Sequence, residues 1–191
     1  MTKTRLEAFS DGVVAILITI MVLELKVPHG TDVESLRPVV RTFLAYVLSF
    51  IFLGIYWNNH HHMLHTAERI NGKILWANLH LLFWLSLIPF ATGWLGENRV
   101  ASFPAALYGV ILLFAAVAYT ILQGAIVREH GPESSLRQAV GGDAKGKVSI
   151  VLYVAAIPLA FLNPWISIAI YVTVAMIWLV PDRRIESHAH H

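Results

Sequence analysis

The stretch Arg5-Leu6-Glu7-Ala8-Phe9-Ser10-Asp11-Gly12-Val13-Val14-Ala15-Ile16-Leu17-Ile18-Thr19-Ile20-Met21-Val22-Leu23-Glu24 decides how this chain is read. From Gly12 to Leu23 it carries no ionisable side chain. With its flanks it spans residues 7–27, enough for the ~20 residues that a bilayer crossing requires. Lys3 and Arg5 resemble the charged start of a secretory signal, but Glu7 and Asp11 would interrupt its apolar region. No small-residue cleavage site is evident, so the segment is expected to stay as the first spanning helix. Pro28, His29 and Gly30 end it.

The rest of the chain agrees. Of 191 residues, 57% are hydrophobic and only 14% charged, with a mean hydropathy of +0.62. Water-soluble domains carry about a quarter charged residues, and so much apolar surface cannot stay solvated as a disordered chain. The absence of cysteine removes disulfides, thiolate metal sites and Cys nucleophiles. A pI near 9.0 could suggest nucleic acid, but the basic residues stand singly between apolar runs, a pattern that reports membrane topology. Nucleic acid is therefore excluded as a partner.

Five further spans can be read, at 39–62, 74–95, 100–127, 147–162 and 164–181. The last two come from one apolar run, 148–180, about 50 Å long as a single helix. That exceeds a ~30 Å crossing, and Asn163-Pro164 divides it. The hydrophilic loop between Arg128 and Lys147 is the longest, and contains Pro132. Counting bases on each side of six spans puts 10 of the 14 on the side of the termini, Arg183 and Arg184 among them. The opposite side holds Lys26, Arg37, Arg41 and Arg99. The positive-inside rule then predicts cytoplasmic termini. Trp57, Trp94 and Trp165 lie near span ends, as interfacial anchors do. The expected fold is all-α, a six-helix integral membrane chain in a lipid bilayer, a single domain over residues 1–191 without internal repeat.

At 100° per residue, Phe9, Ile20 and Leu23 fall within about 40° of Ile16, and Asp11 about 140° away. Ala8, Gly12, Ala15 and Thr19 form a small-residue strip beside that face, which allows close helix approach. Periodicity alone fits an ordinary packed helix as well as a conduit.

Arg5-x-x-x-Phe9-Ser10-Asp11 at the start of a first transmembrane helix resembles the signature of the transmembrane protein 175 family of potassium channels. Trp57 with the His60-His61 pair, then Asn78 and Pro89-Phe90, are similar to recurrent features of that family's second and third helices. The resemblance implies a bacterial subunit, since one Phe-Ser-Asp copy is present, assembling as a homotetramer in the inner (cell) membrane. It further implies a central pore lined by the first helix and no cofactor beyond the permeant potassium ion. No Thr-Val-Gly-Tyr-Gly filter is present. By that resemblance Ile16 is the narrowest ring, Ile20 and Leu23 continue it, and Thr19 is the hydroxyl residue. Selectivity for potassium would be modest, and Glu24 is placed at the pore mouth. Arg5, Phe9, Ser10 and Asp11 are read as a scaffold, with Arg5 and Asp11 off the Ile16 face. Their expected partners in a hydrogen-bond network are Trp57, His60, His61 and Asn78.

Two rival classes remain at this point. His60, His61, His62 and His65 are clustered, and His61 with His65 has the spacing of a metal pair on one helix face, with His80 as a fifth ligand; against this, no carboxylate-rich second cluster follows and the only nearby acid is Glu68. A membrane-embedded metal enzyme would use such residues. A secondary transporter would need inverted repeats and polar midplane breaks, and neither is visible. Nothing is inferred from His188, His190 and His191.

Overall fold

The computed structural model describes residues 2–98, 100–131 and 143–179. Among these, the chain forms α1 (Lys3–Leu23), a short 3-10 turn (Val33–Leu36), α2 (Arg37–His65), α3 (Gly72–Ser86), α4 (Ile88–Glu97) and α5 (Ser102–His130). Two further helices, α6 (Ala144–Leu162) and α7 (Pro164–Leu179), complete it. Arg99, Pro132, Arg137, the end of the sixth expected span, Arg183 and Arg184 lie outside the described residues.

The helix limits are set by local chemistry. Asn71 caps α3 by accepting from the Ile74 N–H at 2.9 Å, and Asp143 caps α6 by accepting from Gly146 at 3.1 Å. Each satisfies one of the amide groups orphaned at a helix start. Asn163 leaves the helical region and accepts from the Trp165 N–H at 3.0 Å, turning α6 back into α7. Helices at Lys3–Leu23, Val39–His65, Gly72–Glu97, Ser102–His130 and Ala144–Leu162 are long and apolar enough to cross a membrane. Pro164–Leu179 is a shorter apolar helix.

One feature departs from the expected spans. The third crossing is two helices meeting at Leu87, because Pro89 has no N–H to continue the ladder of α3. Pro89 sits in the first turn of α4, where a missing donor costs nothing.

Helix α5 packs on α3, α4, α6 and α7, and α1 packs on α2, α3 and α4. Small residues Ala105, Ala115 and Ala118 are buried along α5 and let its neighbours approach closely. At Gly96 an added methyl carbon would lie 2.7 Å from Thr42 Cα, so α2 and α4 touch through backbone there.

The loop joining α2 and α3 is latched to the end of α5. His130 Nε2 accepts from the backbone N–H groups of Glu68 at 2.8 Å and Arg69 at 3.0 Å. Its Nδ1 donates to the Ile126 carbonyl at 2.9 Å.

The exposed face of the first helix and its polar clasp

On α1 the residues covered by the rest of the subunit are Leu6, Ser10, Val14, Leu17 and Met21, a stripe at helical spacing. The opposite side is bare. Phe9 is 50% exposed, Ile16 57%, Ile20 43% and Leu23 77%. The chain by itself thus leaves uncovered the face that the 100° repeat gathers around Ile16. Thr19 is also exposed. Its hydroxyl donates back to Ala15 O at 3.0 Å and Ile16 O at 2.9 Å. With its hydrogen committed to the backbone, Thr19 Oγ1 presents lone pairs outward, the polarity that suits a cation.

The buried stripe carries one polar residue. Ser10, 1% exposed, donates to Leu6 O at 2.9 Å, and accepts from Asn78 Nδ2 at 3.0 Å. The Asn78 carbonyl oxygen then accepts from His60 Nε2 at 2.6 Å. That chain of roles places the His60 proton on Nε2. Beside it, Trp57 Nε1 donates to Asp11 Oδ1 at 3.0 Å. Side chains from α2 and α3 therefore hold Ser10 and Asp11 from two directions, which fixes the rotation of α1 about its axis. Every member has a partner, the condition under which such networks rigidify a core.

Two of the expected partners behave differently. His61 stacks on Trp57, with ring centroids 6.1 Å apart and planes at 28°, and makes no hydrogen bond among the described residues. Arg5 is exposed and has no hydrogen bond or ion pair among the described residues. Arg5, expected off the Ile16 face, lies on it. Eleven residues at 100° return Arg5 to within about 20° of Ile16, so it continues the exposed face at the N-terminal end of α1.

At the other end of α1, a methyl added at Gly93 would meet Glu24 Oε2 at 3.0 Å, so the Glu24 carboxylate rests against α4. Lys26 pairs with Glu97. The rings of His62 and His65 lie beside that of His61, with centroids 5.7 and 6.4 Å from it, but His80 is engaged elsewhere. Trp84 Nε1 donates to His80 Nε2 at 3.0 Å on α3 itself, and no group of three or more metal-ligating side chains forms among the described residues.

A second polar cluster is formed by residues outside the expected site. Ser49 Oγ lies 2.6 Å from Thr92 Oγ1 and 2.8 Å from Tyr108 Oη, and Thr92 donates to Ile88 O at 2.7 Å. It joins α2, α4 and α5 deep in the subunit. Met21 of α1 touches its edge, Sδ lying 3.9 Å from Thr92 Oγ1.

The family model described as "Endosomal/lysosomal potassium channel TMEM175" matches residues 5–89, which hold Arg5, the Phe9-Ser10-Asp11 triplet, Trp57, His60 and Asn78. A potassium channel of Chryseobacterium sp. (strain P1-3) is 57% identical over 186 residues, covering 97% of this chain and 97% of its own. The chain belongs to the TMEM175 family. Its fold matches the crystal structure of a lysosomal potassium-selective channel TMEM175 homolog from Chamaesiphon minutus at a TM-score of 0.78, with 30% identity over 93% of this chain and 96% of that one. TMEM175 relatives in vertebrates share a shorter stretch. The Homo sapiens member, an endosomal/lysosomal proton channel, is 35% identical over 96 residues, 44% of this chain and 19% of its own. This TMEM175 chain is thus a multi-pass membrane protein, and its relatives are named as channels, not enzymes.

Proposed function

We propose that this protein is a potassium-conducting channel of a bacterial inner membrane, a homotetramer with both termini cytoplasmic and α1 lining the axis. The observation that carries the reading is the bare apolar face of α1, since Phe9, Ile16, Ile20 and Leu23 are all exposed on a helix whose other side is clasped. A chain that only needed to face lipid has no use for a buried amide–hydroxyl–imidazole network setting the rotation of that one helix. The bacterial relative named as a potassium channel over nearly the whole chain supports the choice of ion.

In this reading Ile16 forms the narrowest ring and Ile20 and Leu23 extend it. A closed apolar neck holds no continuous water column, and no atom of the ring replaces the hydration shell of an ion. Opening widens the neck or turns α1. Potassium is favoured over sodium because the larger ion gives up its water at lower cost, and the Thr19 oxygens are the polar lining at mid-helix. Discrimination is accordingly modest. Glu24 lies at the outer mouth, where a carboxylate ring concentrates cations. Ser10, Asp11, Trp57, His60 and Asn78 position α1 and do not touch the ion. The channel uses no cofactor.

Flux from purified protein in liposomes tests this. Ile16→Asn keeps a similar size but lets water fill the neck, so leak rises and sodium enters more readily. Ile18→Asn, about 160° from Ile16, leaves flux unchanged. Paired potassium and pH gradients with separate dyes decide the ion. Well-folded Ile16→Asn tetramers with the parent's flux and ion preference would refute the constriction, and proton flux without potassium flux would refute the choice of ion.

A further inference from the structure

Away from α1, a cavity opens between α2, α5, α6 and α7 near the end of the subunit where α6 begins. Its walls include the rings of Phe52, Tyr56, Tyr119, Tyr153 and Trp178, and the charged group on its lining is Asp143. The space amounts to about 40 Å³. At ~10–15 Å³ for each water-sized occupant, it has room for about three heavy atoms.

The polarity of this space is one-sided. Its amide and smaller hydroxyl side chains are turned back onto their own helices. Asn59 donates to Ile55 O at 2.8 Å, Thr120 to Ala116 O at 3.0 Å and Ser149 to Lys145 O at 2.8 Å. Trp178 Nε1 is taken by Ser149 Oγ at 2.9 Å. Tyr153, only 2% exposed, makes no hydrogen bond among the described residues. Asp143 accepts the Gly146 N–H at 3.1 Å, and no basic side chain lies within salt-bridge distance of it among the described residues. Exposed Lys147, one turn further along, acts on it only through space. Burial is the larger influence and pushes the Asp143 carboxyl above its usual range, the mark of a carboxylate short of a counter-ion. Aromatic faces and an under-compensated carboxylate attract the same species, a cation.

We propose that this cavity binds a primary ammonium group carried on an apolar stem, with Asp143 as the counter-charge and the tyrosine and tryptophan rings as the walls. The size favours a two- or three-atom ammonium head over a trimethylated one. A carboxylate oxygen with a spare lone pair also rewards N–H donors, which a quaternary head lacks. The group can belong to a free alkylamine or to an ethanolamine phospholipid headgroup, for the cavity sits near the end of membrane-crossing helices. The site is independent of how α1 is used.

Calorimetric titration of the full chain in detergent with n-butylamine at neutral pH tests the proposal, with n-butanol and tetramethylammonium as probes of matched stem and of charge without donors. The expected result is saturable binding of n-butylamine, at least about tenfold tighter than either comparison probe. Asp143→Asn retains a good helix cap and should weaken n-butylamine binding by about tenfold while the protein elutes as the parent does. The comparison of the three probes on the parent needs no variant and stands if Asp143→Asn fails to fold. Native mass spectrometry from mixed vesicles then separates the sources. Retention of ethanolamine over choline phospholipid that is lost in Asp143→Asn identifies the headgroup, and n-butylamine binding without lipid preference identifies a free amine. Equal binding of n-butanol and n-butylamine, equal binding by a folded Asp143→Asn protein, or no saturable binding would overturn the proposal.

Discussion

Two polar clusters tie the helices of this chain together, and they are built differently. Ser10, Asn78 and His60 meet through an amide that donates on one side and accepts on the other. Ser49, Thr92 and Tyr108 meet through hydroxyls alone. An amide has fixed polarity, so the first cluster has one self-consistent arrangement and fixes the rotation of α1. In the second, Thr92 gives its hydrogen to Ile88 O, so Ser49 donates to Thr92 and Tyr108 to Ser49; this run joins α2, α4 and α5 and meets α1 only at the Met21 sulfur. The first cluster is a positioning device; the second is an adhesive.

The comparison can be broken most directly at Asn78. Asn78→Leu removes the partner of His60 and one partner of Ser10 together, leaving a buried imidazole N–H unsatisfied. A loss of about 2–3 kcal/mol is expected in detergent unfolding, together with altered open probability in liposome recordings. Tyr108→Phe should cost less, about 1 kcal/mol, because the ring still packs against Phe52 and Tyr171 and only the 2.8 Å bond to Ser49 goes. Its ion preference should match the parent. If Tyr108→Phe shifted gating as strongly as Asn78→Leu, the division between positioning and adhesion would fail.

Trp57→Phe sits between the clusters in kind. It keeps a ring for His61 to stack on but removes the 3.0 Å donor to Asp11, so the carboxylate loses one of the two holds on α1. The expected effect is about 1 kcal/mol on stability, with gating changed in the direction of Asn78→Leu. The smallest effect belongs to Gly93→Ala. Its methyl would stand 3.0 Å from Glu24 Oε2 and displace a flexible side chain rather than backbone. Although Gly93 is buried, stability should change by less than about 0.5 kcal/mol, because only the far end of the exposed Glu24 side chain has to shift. Conductance at low salt should move if Glu24 concentrates cations, and unchanged conductance would remove Glu24 from the mouth.

Much of this was legible in the chain itself. The apolar runs, the Asn163-Pro164 turn and the face around Ile16 come from hydropathy and a 100° repeat. Ser10, Asp11, Trp57, His60 and Asn78 stand out because polar groups are scarce in such runs and must find partners. The break at Leu87 did not stand out, since the hydropathy of residues 74–95 is continuous across it and Pro89 read only as part of a Pro-Phe pair. Ser49, Thr92 and Tyr108 were silent for another reason. A hydroxyl in a membrane helix can bond to its own backbone, so nothing in its presence announces a partner 43 or 59 residues away. Arg5 departs from its expected side because a short motif is not one unit on a helix: its first and last members, six residues apart, point to different sides.

The junction at Leu87 has a mechanical meaning. Helix α3 grips the N-terminal half of α1 through Asn78 and Ser10, and α4 meets its C-terminal half where Thr92 lies beside Met21 and Gly93 beside Glu24. Had the third crossing been one rod, any tilt of it would have swept both grips together. A jointed rod lets one grip act as a fulcrum while the other yields, so the two ends of α1 can be displaced by different amounts in a single movement.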